Sequence, residues 1–177
     1  MNNPCNFSTK HYIQTLKNYQ KTHSFCFFND CSNNDVILRH DVDFSLEDAL
    51  RIATIENDLG INSTYFILLH SELYNPLGFV SSKLISKILK FGHKIGLHYD
   101  EVFFEQTNVN ASEGLKKEID LLEQHFNTNI EVVALDSFLK NTAKEQVKLI
   151  KIDTEGHEAH CLKGMIDVLS SARPVIF

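Results

Sequence analysis

The chain has 177 residues, with 17 Lys and Arg against 23 Asp and Glu and a formal net charge of −6. That length fits one domain or two small ones, and a net negative chain without a basic block argues against nucleic acid, whose phosphates need clustered Lys and Arg. The polar opening "MNNPCNFSTKHYIQTLKNYQ" lacks the apolar centre of a signal peptide and no later run is long enough to span a membrane, so a cytoplasmic protein is expected. In a reducing compartment Cys5, Cys26, Cys31 and Cys161 are expected as free thiols. His23 with Cys26 and Cys31 fits no strong zinc spacing.

Residues 1–35 are Asn-rich and weakly patterned, apart from a short helix in "HYIQTLKNYQ". "DVILRHD" reads as a buried strand. "SLEDALRIATIENDLG" reads as a helix: Ser45 can cap it, Asp48 sits at the capping-box position and Gly60 stands where a helix stops. Leu46, Ala49, Leu50, Ala53 and Leu59 give it an apolar stripe. "INSTYFILL" follows as a strand, "GFVSSKLISKILKFG" as a helix ending at Gly92, and "HKIGLHYD" as a short strand. "NASEGLKKEIDLLEQHF" is a helix with Leu115, Ile119, Leu122 and Phe126 on one face. "IEVVAL" is a strand, "DSFLKNTAKEQ" is helical in part, "VKLIKID" is a strand, "HEAHCLKGMIDVLSSA" a helix and "PVIF" a strand. Strands alternating with helices predict an α/β fold with a mostly parallel sheet.

The charged tip of "VILRHDVDFS" asks for a purpose. Side chains alternate along a strand, so Asp41 and Asp43 share one face and His40 takes the other. "GHKIGLHYD" likewise puts His98 and Asp100 on one face, with His93 opposite. Both acid-bearing ends lie at the carboxyl edge of a parallel sheet, where function gathers in such folds. Two acids from one strand, with an imidazole and an acid from another, suit a divalent metal. The competing reading is a helix cap, a solvated loop end and a histidine satisfied by backbone.

"LRHDVDFSLEDALRIATIENDLGINSTYFILLHSELYNP" and "ILKFGHKIGLHYD" resemble NodB-type polysaccharide deacetylases over about residues 36–130. The resemblance implies a metal-dependent hydrolase of N-acetylated saccharides. Asp41 would be the general base, Asp43 and His98 would hold zinc or a similar divalent ion, and His93 would be structural. The family's second histidine, four residues after its first, is replaced here by Val102, so either Asp100 or Glu101 substitutes as the third ligand or the site is crippled.

The last part of the chain has a different likeness. "LDSFL", "LIKIDTEGHE", "CLKG" and "RPVIF" follow the order and spacing of FkbM-type methyltransferases over about residues 132–177. This resemblance implies a Rossmann-like fold and S-adenosylmethionine as cofactor. Asp153 and Glu155 would line the cofactor crevice at a strand end, with Glu158 nearby. From the residues alone, a strand, a tight turn and acids favourable at a helix N-terminus would look the same. Glycines stand at 60, 78, 92, 96, 114, 156 and 164, and none builds the Gly-rich turn that cradles such a cofactor. The chain alone is therefore expected not to hold it, and a partner chain would supply the missing half. The expected organisation is a weakly patterned segment 1–35, a deacetylase-like part 36–130 and a truncated methyltransferase-like part 132–177.

Overall fold

Strand β3 (Arg39–Val42) starts the central sheet, β4 (Thr64–Leu68) lies in its middle and β5 (Lys94–His98) flanks β4 on the far side, all parallel. The computed structural model describes residues 8–31, 35–107, 110–131, 149–150 and 162–176. They fall into two compact units, Met1–Glu131 and Val132–Phe177.

In the first unit, two crossover helices follow from local sequence. Helix α2 (Leu46–Asp58) begins where the Ser45 hydroxyl accepts the Asp48 N–H, with Glu47 and Asp48 favourably placed against the positive end of its dipole. It ends at Gly60, whose φ of 68° is cheap only for glycine. Helix α3 (Phe79–Lys90) ends in the same way at Gly92, with φ 87°, and carries Lys87 and Lys90 in its last turn. Val42, Tyr65, Ile67, Ile95 and Leu97 point from one sheet face into a core with Leu46, Ala49 and Ala53 of α2 and Ile85 and Ile88 of α3. Such fully buried aliphatic side chains each contribute about 1.5–3 kcal/mol of burial.

Helix α5 (Ala111–Phe126) adds Leu122 to this core, with Leu115, Ile119 and Phe126 packed against it. A bridge from Gly96 to Glu131 continues the parallel pairing beyond β5. Gly96 is required there, because a Cβ would lie 2.6 Å from the Phe66 ring and 2.9 Å from the Glu131 carbonyl.

Several expectations change. The short helix expected in "HYIQTLKNYQ" is α1 (Thr9–Tyr19), capped by Ser8, but strand β1 (Phe25–Cys26), paired in parallel with β2 (Val36–Ile37), was not expected. The "DVILRHD" strand is thus two short strands, and Val36 and Ile37 are only partly buried. Helix α4 (Glu101–Thr107) was not expected, since about two turns leave no readable period. Cys26 and Cys31 are joined in a disulfide rather than free; their Cα atoms stand 5.5 Å apart, within bonding geometry that sequence spacing cannot reveal.

The second unit shows β6 (Leu149–Ile150) in parallel with β7 (Val175–Ile176), and helix α6 (Ile166–Ala172) between them in sequence. Among the described residues of this unit, Met165, which precedes α6, and Val168 within it are buried, and Arg173 closes α6 with φ 47°. The strand expected at "IEVVAL" is described only at its Glu131 bridge, and "DSFLKNTAKEQ" lies outside the described residues. The observed class is therefore mixed α/β with small parallel sheets, consistent with a Rossmann-like methyltransferase fold.

Candidate functional site

The alternation read from sequence divides the two charged motifs between opposite sides of the sheet. On one side, His40 and His93 converge on Glu56 of α2, whose side chain is fully buried. His40 Nε2 lies 2.6 Å from Glu56 Oε1, and the ring stacks on Tyr65 at 4.7 Å. The hydroxyls of Ser63 and Tyr65 donate to Glu56 Oε2 at 2.6 and 2.7 Å, and that of Tyr12 donates to Oε1. His93 accepts the Ser63 N–H on Nδ1 at 3.1 Å and meets the Ala53 carbonyl through Nε2 at 3.0 Å.

Burial alone would push the Glu56 carboxyl up. The hydrogen bonds from His40, Ser63 and Tyr12, together with the charge of His40, outweigh it and hold the group below the usual carboxylate range. Burial pushes the His93 imidazole down, so it stays neutral, while burial and the nearby Glu56 raise the Tyr12 and Tyr65 phenols. His93 is thus held in the interior by Ser63 and the Ala53 carbonyl. The hub around Glu56 was missed: its position on α2 reads as an ordinary polar face. The available signal was that two inward-facing histidines needed an acceptor.

On the carboxyl edge, the register Val42–Ile67 and Leu68–His98 puts Asp43, Leu68 and His98 level across the three strands. Asp43 and His98 meet over β4, with Oδ1 3.4 Å from Nδ1. Their side chains are 48% and 29% exposed, although the Nδ1 atom itself is covered. Asp41 is adjacent on β3 but faces its neighbour Arg39, whose Nε donates to Oδ1 at 2.8 Å.

Asp100 is not brought to the pair in a metal-binding group. Its Oδ1 accepts the Phe103 N–H at 3.0 Å and caps α4, so the helix-cap reading holds for this acid. Among the described residues no group of three or more His, Cys, Asp or Glu side chains is placed to hold a metal ion. The described donors therefore do not complete a zinc site, and the side chain of Glu101, the other expected third ligand, lies outside the described ones.

Two further features of this edge escaped the sequence reading. Tyr74, in the loop after β4, accepts the Leu68 N–H at 3.0 Å and donates to the Val42 carbonyl at 2.5 Å. His70 contacts Glu118 of α5 at 2.5 Å and stacks on Phe103. Burial raises the Glu118 carboxyl, opposed by His70 and reinforced by the charge of Asp100.

Asp153, Glu155 and Glu158 lie outside the described residues. A Gly-rich cradle for S-adenosylmethionine is not formed by the described residues. The loops after β3 and β5 carry no glycine, and the β4–α3 loop has only Gly78, which precedes α3. Among the described residues no helix is long and apolar enough to cross a membrane.

No curated protein matches the chain. The family model for the methyltransferase FkbM domain matches residues 71–177, beginning in the β4–α3 loop and continuing through the second unit. It starts well upstream of the motifs that carry the resemblance, and no family match supports a deacetylase part. The match covers more than half of the sequence, and the chain belongs to the FkbM methyltransferase domain family.

Proposed function

We propose that the chain is an S-adenosylmethionine-dependent methyltransferase acting on a saccharide. The observation that carries this reading is the family match over residues 71–177. When bound, the cofactor supplies a methyl group made electrophilic by its sulfonium. Asp153 and Glu155, at the end of "LIKID", are the side chains proposed to line its crevice. Because the match includes residues 71–131, it favours a site within one chain over one completed by a partner chain. Titration calorimetry on the purified full chain is the test. Saturable binding of S-adenosylmethionine, lost in Asp153→Ala, supports the reading; no binding sinks it.

A second reading is favoured by the meeting of Asp43 and His98 at the carboxyl edge. It makes the first unit a metal-dependent hydrolase of N-acetylated saccharides, with Asp41 as base. Divalent metal retained stoichiometrically through purification and lost in His98→Ala would support it. Deacetylation with no metal dependence would refute it.

A further inference from the structure

Phe66 and Glu131 are buried on the face of the sheet opposite α2 and α3. Side chains alternate along a strand, so Phe66, Lys94 and Gly96 face away from Tyr65, Ile67 and Ile95, which point into the core. Phe66 is nevertheless only 4% exposed and Glu131 only 8%. Arg39 lies over the Phe66 ring at 4.0 Å, and the short segment between Cys26 and Cys31 adds to the cover.

That segment is a closed turn. The Asp30 N–H donates to the Phe27 carbonyl at 3.1 Å, and the Cys26–Cys31 disulfide ties the two ends together. Three consecutive residues of the turn reach the second face. The Phe27 ring lies 4.4 Å from Lys94 Nζ, the Phe28 ring meets Phe66 edge-on at 6.0 Å, and Asn29 Nδ2 donates to Glu131 Oε2 at 3.3 Å. Lys94 Nζ takes the other oxygen, Oε1, at 2.6 Å. A buried carboxylate is tolerated only when it is paired and hydrogen-bonded, and one of these two oxygens is served by the turn.

Glu131 also has a place in the sheet. Its N–H donates to the Ile95 carbonyl at 3.0 Å, and it bridges to Gly96. It is the last residue of the first unit, and the chain runs on from it towards "LIKIDTEGHE". The turn lies upstream of residue 71, where the family match begins, whereas Glu131 lies within the match. A segment outside the matched domain thus grips a residue inside it.

The grip depends on a bond that can be opened. Cys26 and Cys31 are both partly exposed, so a thiolate can attack either sulfur. A dithiol supplies two electrons and two protons by way of a mixed disulfide; it departs as its own disulfide, and Cys26 and Cys31 become thiols. With the bond closed, the turn keeps its shape even when it lifts off the sheet. Without the bond the lifted segment gains conformational entropy, which favours release.

We propose that the Cys26–Cys31 disulfide is a redox-sensitive clasp. Closed, it presents Phe27, Phe28 and Asn29 so that Glu131 is held in the sheet; reduced, it lets Glu131 go. The clasp rests on no reading of the reaction.

The test is amide hydrogen exchange on the purified full chain, air-oxidised against dithiothreitol-reduced. Peptide mapping of the oxidised chain should show Cys26 joined to Cys31. Reduction is expected to speed exchange of the Glu131 N–H by about tenfold or more, the order that opening a short covalent loop implies. The Ile67 N–H, in the middle strand, should keep its rate. Cys26→Ser combined with Cys31→Ser should match the reduced chain and ignore dithiothreitol, which separates this pair from the other two cysteines. Equal Glu131 exchange in the oxidised and reduced wild type overturns the proposal. So does an equal rise at Ile67, because the whole fold would then have loosened, and so does an oxidised chain in which Cys26 and Cys31 are not joined. The wild-type comparison needs no variant, so it decides the matter even if the double-serine chain folds poorly.

Discussion

His93 and His98 belong to one short stretch, yet they live in opposite surroundings. His93 is 3% exposed, neutral and fixed by Ser63 and Ala53 beside the Glu56 hub. His98 stands at the carboxyl edge, near one carboxylate that is half exposed. His40 and Asp43 divide in the same way at the end of the first motif. Each motif thus sends one residue inward to hold helix α2 against the sheet and another outward to the edge. The difference teaches that polar residues in these motifs do two jobs, and that strand alternation decides which. The inward group should control stability; the outward pair should hardly affect it.

The largest effect should come from breaking the hub. Glu56→Ala would leave Tyr12, Ser63, Tyr65 and His40 without their shared acceptor in a fully buried place. Loss of one partner from a buried charged network costs about 3–5 kcal/mol. Urea denaturation checks this, and a loss under about 1 kcal/mol would mean that the hub does not hold the fold.

Next comes close approach on the opposite sheet face. In Gly96→Ala the new methyl would meet the Phe66 ring and the Glu131 carbonyl. The ring can shift but the backbone gives little, so overpacking should cost about 1–3 kcal/mol. Thermal unfolding measures it, and an unchanged melting temperature would show that the Gly96–Glu131 bridge is dispensable.

How much of this was legible follows from period and range. Helices α2, α3 and α5 were readable because each is long enough for an apolar stripe, and α2 and α3 are closed by glycines. Asp43 and His98 were readable as partners because strand alternation and the carboxyl-edge rule need only local sequence. Strand β1 was not, since two residues have no period, and the break that separates β2 from β3 within "DVILRHD" left no local mark. The disulfide was hidden because spacing alone does not place two Cα atoms within bonding reach. Glu56 and Tyr74 were hidden for a related reason. A carboxylate on a helix and a tyrosine in a loop gain their roles only from residues that the fold brings to them. The upstream reach of the family match was also illegible, because its quotable motifs all lie after residue 132.

Acid should sharpen the contrast between the two histidines. The His93 imidazole is held below its ordinary value, so between that depressed value and about 6.5 the unfolded chain binds the extra proton and the native chain does not. Stability rises with pH across this window. It is fully present above about pH 6.5 and is lost as pH falls through the folded value. Glu56, also depressed, adds a second loss starting lower, below about pH 4.3. Melting temperature against pH should therefore fall in two stages on the acid side. His93→Gln should flatten the first stage, and an unaltered profile in that variant would show that His93 is not its source.

The smallest stability effect belongs to the edge. Asp43 is about half exposed, and an ion pair so open to water contributes only about 0–1 kcal/mol because solvent screens it and two side chains must be ordered. His98 buries one nitrogen but is not packed into the core cluster. Asp43→Asn and His98→Ala should each change stability by no more than about 0.5–1 kcal/mol, the usual range for surface changes away from the core. Their combination should be nearly additive, with a coupling of a few tenths of a kcal/mol. A double-mutant cycle in urea measures that coupling. A coupling above about 2 kcal/mol would place the pair with the Glu56 hub as a structural element, and the carboxyl edge would lose its standing as the place where these motifs act.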